Sequence, residues 1–247
     1  MKYPYVMIAI PIKNNAIFMQ SLYDNITKLE YPKNKITLCI LESDSDDNTW
    51  NILQTWQSVG LLDKYRKVHI WKHTFNFKLP YFRRQINNQE ERYRILGIVR
   101  TEVITKFLKD EEWIFAFDAD LKWIPPASIK RGISLGEDII SFLAFFNGGD
   151  GLRAFNIIWN NQTYPSNHPI KDCMHIAEIT KDLPEVMEIP LLSTTAFFSK
   201  SKLFKEHVNF LHNKGEEGNQ EQGIISNRLK EQGYKIYLDI KNIVIHW

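Results

Sequence analysis

Two carboxylates one residue apart, Asp118 and Asp120, follow the apolar run Trp113-Ile-Phe-Ala-Phe117. A run of that length, rich in β-branched and aromatic residues, predicts a buried strand. Its Asp-x-Asp end then lies at the carboxyl edge of a sheet, where open α/β folds bind ligands. Adjacent carboxylates repel unless something positive sits between them, and a divalent metal on a diphosphate meets that need. The motif alone also occurs in many surface loops, so other segments must agree with it.

A second acidic group closes another apolar run: Leu41-Glu-Ser-Asp-Ser-Asp-Asp-Asn-Thr49. Short polar residues before a helix start act as caps, which accounts for Ser45, Asp46 or Asp47 without a ligand. Capping does not account for four carboxylates within six residues, which repel unless solvated or occupied. At a strand's carboxyl end, Glu42 is placed to accept hydrogen bonds from a nucleobase N–H or from ribose hydroxyls.

The elements that must position these groups follow from hydrophobic periodicity. Strands are predicted over 6–12, 35–41, 68–71 and 113–118, alternating with helices over 16–29, from Asp46 through Trp56, and over 91–108 with Leu96, Val99, Val103 and Phe107 on one face. The order β-α-β-α-β-α-β implies an α/β fold with a mostly parallel central sheet flanked by helices. Further on, strands are expected over 138–146 and 191–199, a turn at 147–151, and a helix over 202–211. A flexible loop at 214–219, a helix over 221–232 ended by Gly233, and short strands over 234–238 and 243–246 complete the chain. Residues 152–185 resist assignment. No linker divides the 247 residues, which are ample for one domain.

Net charge is +2, so the total does not demand a polyanionic partner. Residues 64–84 nevertheless hold seven Lys or Arg and no Asp or Glu, interleaved with aromatics. They form either a solvated connector whose rings pack on the core or a basic wall facing phosphates. The two cysteines, Cys39 and Cys173, form no disulfide framework or zinc spacing, and Cys39 is expected as a buried small hydrophobe. The opening run is too short and too interrupted for a signal peptide or membrane span, so a soluble, cytoplasmic protein without a transmembrane segment is expected.

Several segments resemble one family in the right order along nearly the whole chain. Pro11-Ile-Lys-Asn14 resembles the Pro-x-x-Asn closing the first strand of GT-A glycosyltransferases. The 42–49 loop resembles their Asp-Asp-Gly-Ser-Thr-Asp-Asn-Thr, with Glu42 in place of the base-binding Asp and Asp44 in place of the Gly. Arg100 stands where that family places an Arg before its Asp-x-Asp strand, with Thr101 where Asn usually follows. Glu221-Gln222, Arg228 and Gly233-Tyr234 resemble the catalytic-helix pattern, and His246 resembles a C-terminal metal-binding His. Within the class the chain is similar to the inverting family 2 enzymes. Its Leu-Glu-Ser-Asp-Ser and Asp-Ala-Asp-Leu…Pro wording is also similar to the fungal mannan-polymerase family, whose members retain configuration.

The resemblance implies a metal-dependent transfer of a sugar from a nucleotide-diphospho-sugar to an acceptor hydroxyl. It implies donor contacts from Pro11, Asn14, Glu42, Ser45, Asp47, Arg100, Asp118 and Ala119. It implies a metal at Asp118, Asp120 and His246, with Asp118 meeting ribose or metal-bound water rather than the ion. Mn²⁺ or Mg²⁺ suits carboxylate and phosphate oxygens, and an imidazole ligand favours Mn²⁺. An inverting transfer also needs a base near the acceptor, offered by Glu221 or by Glu217 on the adjacent loop. Gln222 stands where the family often carries a second carboxylate.

Bland alternatives stand beside these roles. His246 can be a packed terminal His, Arg100 a surface ion pair and Glu221 a first-turn acid favoured by the helix dipole, while Trp123, Trp159 and Trp247 either stack on a sugar face or base or, by default, pack in the core. The chain is expected to divide into a nucleotide-sugar half, 1–125, and an acceptor half, 126–247, with the 214–219 loop as a lid. Expected acceptors are a glycan, a lipid-linked sugar or a modified nucleic acid. A nucleotidyltransferase should carry a Gly-rich loop after its first strand, and none is present. The other competing class is a nucleic-acid-binding module using residues 64–84.

Overall fold

Alternate residues of the first strand, β1 (Val6–Ile12), enter two different cores. Val6, Ile8 and Ile10 face one side of the sheet, and Met7 and Ala9 face the other. The second strand, β2 (Ile36–Glu42), does the same with Leu38 and Ile40 against Cys39 and Leu41. A strand buried on both faces needs apolar residues at every position, hence the unbroken hydrophobic runs of the sequence. Burial pushes the Cys39 thiol up to about 12, in keeping with an inert core residue.

The chain is described here by a computed structural model over residues 3–76, 89–147, 152–154, 184–206, 208–213 and 220–247. The expected turn at 147–151, most of 152–185, the 214–219 loop with Glu217, Trp159 and the basic residues after 76 lie largely or wholly outside the described residues. The remaining strands are β3 (Lys67–Lys72), β4 (Trp113–Phe117), β5 (Leu121–Trp123), β6 (Ile139–Asn147), β7 (Leu152–Ala154), β8 (Val186–Ile189), β9 (Ala196–Lys200) and β10 (Ile236–His246). The helices are α1 (Met19–Lys28), α2 (Thr49–Ser58), α3 (Gln89–Thr105), α4 (Ser128–Leu135), α5 (Lys202–Lys205) and α6 (Glu221–Glu231).

Among the described residues the sheet order is β3-β2-β1-β4-β9-β6-β10-β5, with β7 beside β6 and β8 beside β10. The first four strands are parallel, as their intervening helices require. Beyond them the sheet is mixed rather than purely parallel. Strand β9 runs antiparallel between β4 and β6, and β10 is parallel to β6 but antiparallel to β5 and β8. Helices α1, α2 and α4 cover one face, through Leu22, Ile26, Leu53 and Ile129. Helices α3, α5 and α6 cover the other, through Ile95, Val99, Val103, Leu203, Ile225 and Leu229.

Several boundaries differ from expectation for identifiable reasons. The buried stripe of α3 is Ile95, Val99 and Val103, and Leu96 is only half-buried. Residues 191–195 are a loop, because side chains rather than a neighbouring strand take up their backbone. Leu192 N–H donates to Ser226 Oγ at 2.8 Å and Ser193 N–H to Ser141 Oγ at 2.9 Å. The helix expected over 202–211 stops at Lys205, and the chain then lies along α3, where Phe210 N–H donates to Thr101 Oγ1 at 3.1 Å. The two expected final strands are one, β10, with a register shift between Asp239 and Ile243. Strands β5 and β8, of three and four residues, are too short for a periodic signal.

Gly97 lets the 208–213 segment approach α3. A Cβ there would stand 2.3 Å from the Phe210 carbonyl oxygen, a backbone atom. In an open helix Gly→Ala gains up to about 1 kcal/mol of propensity. Here overpacking dominates, so Gly97→Ala should destabilise the fold by about 1–3 kcal/mol. Urea denaturation measures this; a variant as stable as the parent would show that the segment is not seated on α3.

Candidate active site

The period of β4 decides which way its acidic end points. Phe115 and Phe117 enter one core, and Ile114 and Ala116 enter the other, beneath α3. Asp118 follows in the second set and meets α3, where Arg100 Nη2 donates to its Oδ1 at 2.8 Å. Asp118 N–H donates to the Thr195 carbonyl at 2.9 Å, and Arg100 Nη1 donates to the Thr194 carbonyl at 3.2 Å. Arg100 Nε stands 3.4 Å from Oε1 of Glu221, the first residue of α6. Arg100 is buried, so it is not a surface ion pair, whereas Glu221 is buried and does stand in the first turn of α6, where the helix dipole favours an acid. Burial pushes the Asp118 carboxyl up from its ordinary range; Arg100 opposes this, and Asp120 adds to it.

Asp120 turns to the other end of the site. Its Oδ1 lies 3.1 Å from Nε2 of His246, the last residue of β10. The antiparallel pairing of β10 with β5 sets His246 opposite Leu121, which brings the chain's end to the motif. Nδ1 of His246 faces the Trp247 carbonyl at 2.9 Å. The Trp247 ring stacks on Phe18 at 5.5 Å, with Lys122 Nζ 4.7 Å from its centroid. The turn between the carboxylates is held from below. Asn15 Nδ2 donates to the Ala119 carbonyl at 3.1 Å, and Asn25 Nδ2 donates to the Leu121 carbonyl at 2.9 Å.

The 42–49 loop binds itself to its neighbours. Ser45 Oγ accepts from Asn14 N–H at 2.9 Å, and Asn14 Oδ1 accepts from Asp46 N–H at 2.7 Å. Asp47 accepts from Ala16 N–H and Thr49 N–H, both at 2.9 Å. Burial raises the Asp47 carboxyl, but these bonds together with that of the Thr49 hydroxyl outweigh it and hold the group below its usual range. Asp44 has φ +53° and accepts from Phe75 N–H at 3.0 Å. An Asp tolerates this left-handed position in place of Gly and adds a hydrogen bond that Gly cannot make. Backbone donors thus offset much of the repulsion that capping was expected to leave unexplained. The expected Asp46 cap is not formed: α2 starts at Thr49 after Asn48, with Asp47 bonding ahead of it.

Glu42 is wholly buried. Its Oε1 accepts from Ser45 N–H at 2.6 Å, and its Oε2 has no hydrogen-bond partner, with Lys72 Nζ 3.4 Å away. The parallel register of β2 and β3 pairs these two residues directly. Pro11, next to last in β1, lies opposite Leu41 in the same register. Of the four described cations in the basic segment, Arg66 and Lys67 pair with Asp110 and Lys72 with Glu42, so the described part is not a bare basic wall.

The structure therefore gathers Asn14, Ser45 and Asp47 in one cluster, Arg100, Asp118 and Glu221 in a second, and Asp120 with His246 in a third. Asn15, Asn25, Lys72 and the Thr194 carbonyl were not anticipated. For Asn15 and Asn25 a signal existed, since each is a polar residue within or beside the apolar stripe of the first helix.

Residues 2–167 match the family model for Anp1. The chain belongs to the Anp1 family of mannan-polymerase-like glycosyltransferases. Solved structures of similar shape share the GT-A fold. A mannosyltransferase of Pyrobaculum calidifontis, PcManGT, in complex with GDP-Man and Mn²⁺, aligns with a TM-score of 0.58 at 12% identity over 100% of this chain and 57% of its own. Residues 1–349 of TarS from S. aureus align with a TM-score of 0.58 at 14% identity over 98% of this chain and 60% of that one. GalNAc-T7 with UDP, GalNAc and Mn²⁺ aligns with a TM-score of 0.61 at 13% identity over 99% of this chain and 44% of that one. This Anp1-family chain thus spans less than two-thirds of each. No described helix is long and apolar enough to cross a membrane.

Hydrogen bonding to Asp120 raises the His246 imidazole to about 9. A group raised in the folded state stabilises the fold fully below its ordinary value near 6.5 and loses that contribution as pH rises through about 9. An NMR titration of the metal-free protein should place His246 near that value. Asp120→Asn should return it toward the ordinary range; an unchanged midpoint would break the assignment of its cause.

Proposed function

We propose that this chain transfers a sugar from a nucleotide-diphospho-sugar to an acceptor hydroxyl, with a divalent cation held at Asp120 and His246. The observation that carries the cation site is the 3.1 Å separation of Asp120 Oδ1 and His246 Nε2. At metal–oxygen distances of about 2.1 Å, neighbouring ligands of an octahedral ion lie about 3.0 Å apart. The pair therefore has the spacing of adjacent ligands. Among the described residues no group of three or more His, Cys, Asp or Glu could hold an ion. Two protein ligands leave positions for diphosphate oxygens and water, as Mg²⁺ commonly requires, and the imidazole favours Mn²⁺. Mn²⁺ in PcManGT and GalNAc-T7 supports the same reading.

Breaking the glycosidic bond builds negative charge on the departing diphosphate, and a cation held by Asp120 and His246 would supply Lewis-acid stabilisation of it. Asp118 takes the ribose or the water around the ion, its carboxylate oriented by Arg100. Glu42 accepts a base N–H at Oε2 once Lys72 moves aside. Pro11, Asn14, Ser45, Asp47 and Ala119 build the wall of the donor slot through backbone groups and the bonds already described. Residues 1–125 form the donor half and 126–247 the acceptor half. GDP-mannose and UDP-sugars are the donors to test first, given the GDP-Man and UDP bound in the similar structures.

On the acceptor side Glu221, or Glu217 beside it, serves as base if the anomeric configuration inverts. The product anomer, read by NMR, decides this: an inverted product requires such a base, and a retained one removes the role. Acceptors to test are glycans, lipid-linked sugars and modified nucleic acid.

Calorimetry tests the donor site. GDP or UDP should bind with Mn²⁺, and Asp120→Ala should abolish the metal-dependent part. Glu42→Ala should cost about 1.5–3 kcal/mol, a lost hydrogen bond to a charged group. Unchanged Mn²⁺-dependent binding in Asp120→Ala would sink the cation site, and an equal Glu42→Ala loss for pyrophosphate would place Glu42 away from the base.

A further inference from the structure

From sequence, Arg100 is expected at the donor. Its surroundings point elsewhere. The residue is 8% exposed; Nη1 and Nη2 donate to Thr194 O and Asp118 Oδ1, and Nε, without a hydrogen-bond partner, stands in ion-pair range of Glu221 Oε1 at 3.4 Å. These belong to three separate parts of the chain: the loop before β9, the end of β4 and the start of α6. A guanidinium stays protonated in proteins and offers its donors in a fixed fork. One positive charge is therefore shared by two carboxylates, one on each side of the proposed site.

The side chain's own anchor is stiff. One turn before Arg100, Gly97 lets the Phe210 carbonyl lie against α3, and the next residue, Thr101, accepts the Phe210 N–H. The helix cannot easily roll to aim Arg100 outward. Asp118, by contrast, is partly exposed and is the member of the group that can reach a ligand.

We infer that Arg100 is a positioning residue that couples Asp118 on the donor side to Glu221 on the acceptor side, and that it does not bind the donor itself. The inference rests on the donor reading above. When Asp118 turns toward a ligand, the guanidinium is left to Glu221. When Glu221 is neutralised, the guanidinium is left to Asp118. Such coupling is reciprocal, so a change at Glu221 must be felt in donor affinity.

The test is a double-mutant cycle read by calorimetry, with GDP and UDP each titrated into the full chain in the presence of Mn²⁺. The parent, Glu221→Gln, Arg100→Gln and the double variant are compared. Glu221→Gln should change the affinity of the nucleotide that binds by about fivefold or more, the lower range of such couplings. The change should vanish in the Arg100→Gln background. A silent Glu221→Gln, or the same change in both backgrounds, overturns the inference. A purely structural Arg100 would lower melting temperatures without producing this dependence. Should Arg100→Gln fail to fold, Arg100→Lys replaces it, since an ammonium keeps the charge but cannot span the fork. Coupling intact in Arg100→Lys would then overturn the inference. Failure of the parent to bind either nucleotide is a different result: it removes the donor reading itself, and the coupling with it.

Discussion

Crowded negative charge at the carboxyl ends of buried strands is the constraint on which this structure depends. Two unit charges 4 Å apart repel by about 1 kcal/mol in water and about 4 kcal/mol at the effective dielectric of a protein surface. Glu42, Asp44, Asp47, Asp118 and Asp120 all sit at that edge. Glu42 meets the Ser45 N–H of its own loop, and the others meet groups from elsewhere in the chain: the backbone of Phe75 and Ala16, the guanidinium of Arg100 and the imidazole of His246. The edge therefore cannot form until distant segments have docked, and the acidic residues report on folding as well as on chemistry.

The mixed sheet follows from the same need. Four parallel strands bring Glu42 and Asp118 to one edge, but a parallel array alone leaves Asp120 without its histidine. Strand β9 runs back between β4 and β6, and the loop before it supplies the Thr194 and Thr195 carbonyls to Arg100 and Asp118. Strand β10 then returns beside β6 and reaches β5 antiparallel, which sets His246 at Asp120. Helix α6, docked through Ile225 and Leu229, delivers Glu221 to the same guanidinium. Late segments of the chain complete a site whose first ligands come early.

Much of this was legible in the sequence where one physical signal dominated. Strand β1 has the expected bounds because its apolar run ends abruptly at Lys13 and Asn14. The Asp-x-Asp edge was legible because a buried strand leaves its polar end few places to go. Legibility failed where contacts outside the segment decide the conformation. The 191–195 stretch is apolar and β-branched enough for a strand, yet Ser226 and Ser141 capture its backbone. The expected helix runs on to 211, yet Thr101 and the gap at Gly97 draw the 208–211 stretch across α3. The roles of Ser45 and Asp47 were half legible. Their types suit both capping and ligand binding, and only the coordinates show that Asn14 and Ala16 occupy them.

The division of labour among the carboxylates follows from how completely each is satisfied. Asp44 and Asp47 are bound by backbone donors whose positions are fixed by neighbouring strands and helices, so using them for a ligand would unravel the loop. Asp120 is different, because the imidazole it faces, that of His246 at 3.1 Å, can exchange a proton for a cation. At the cation site proposed above, proton and metal would compete for the Asp120–His246 pair, so cation affinity would rise as the imidazole is deprotonated. Two protein ligands would make a weak site on their own and a stronger one when a diphosphate adds its oxygens. Cation and nucleotide would then reinforce each other's binding, each completing the shell or the charge balance of the other. An open pair of this kind, unlike a closed structural metal cage, would suit a ligand that must leave after each round of the proposed transfer.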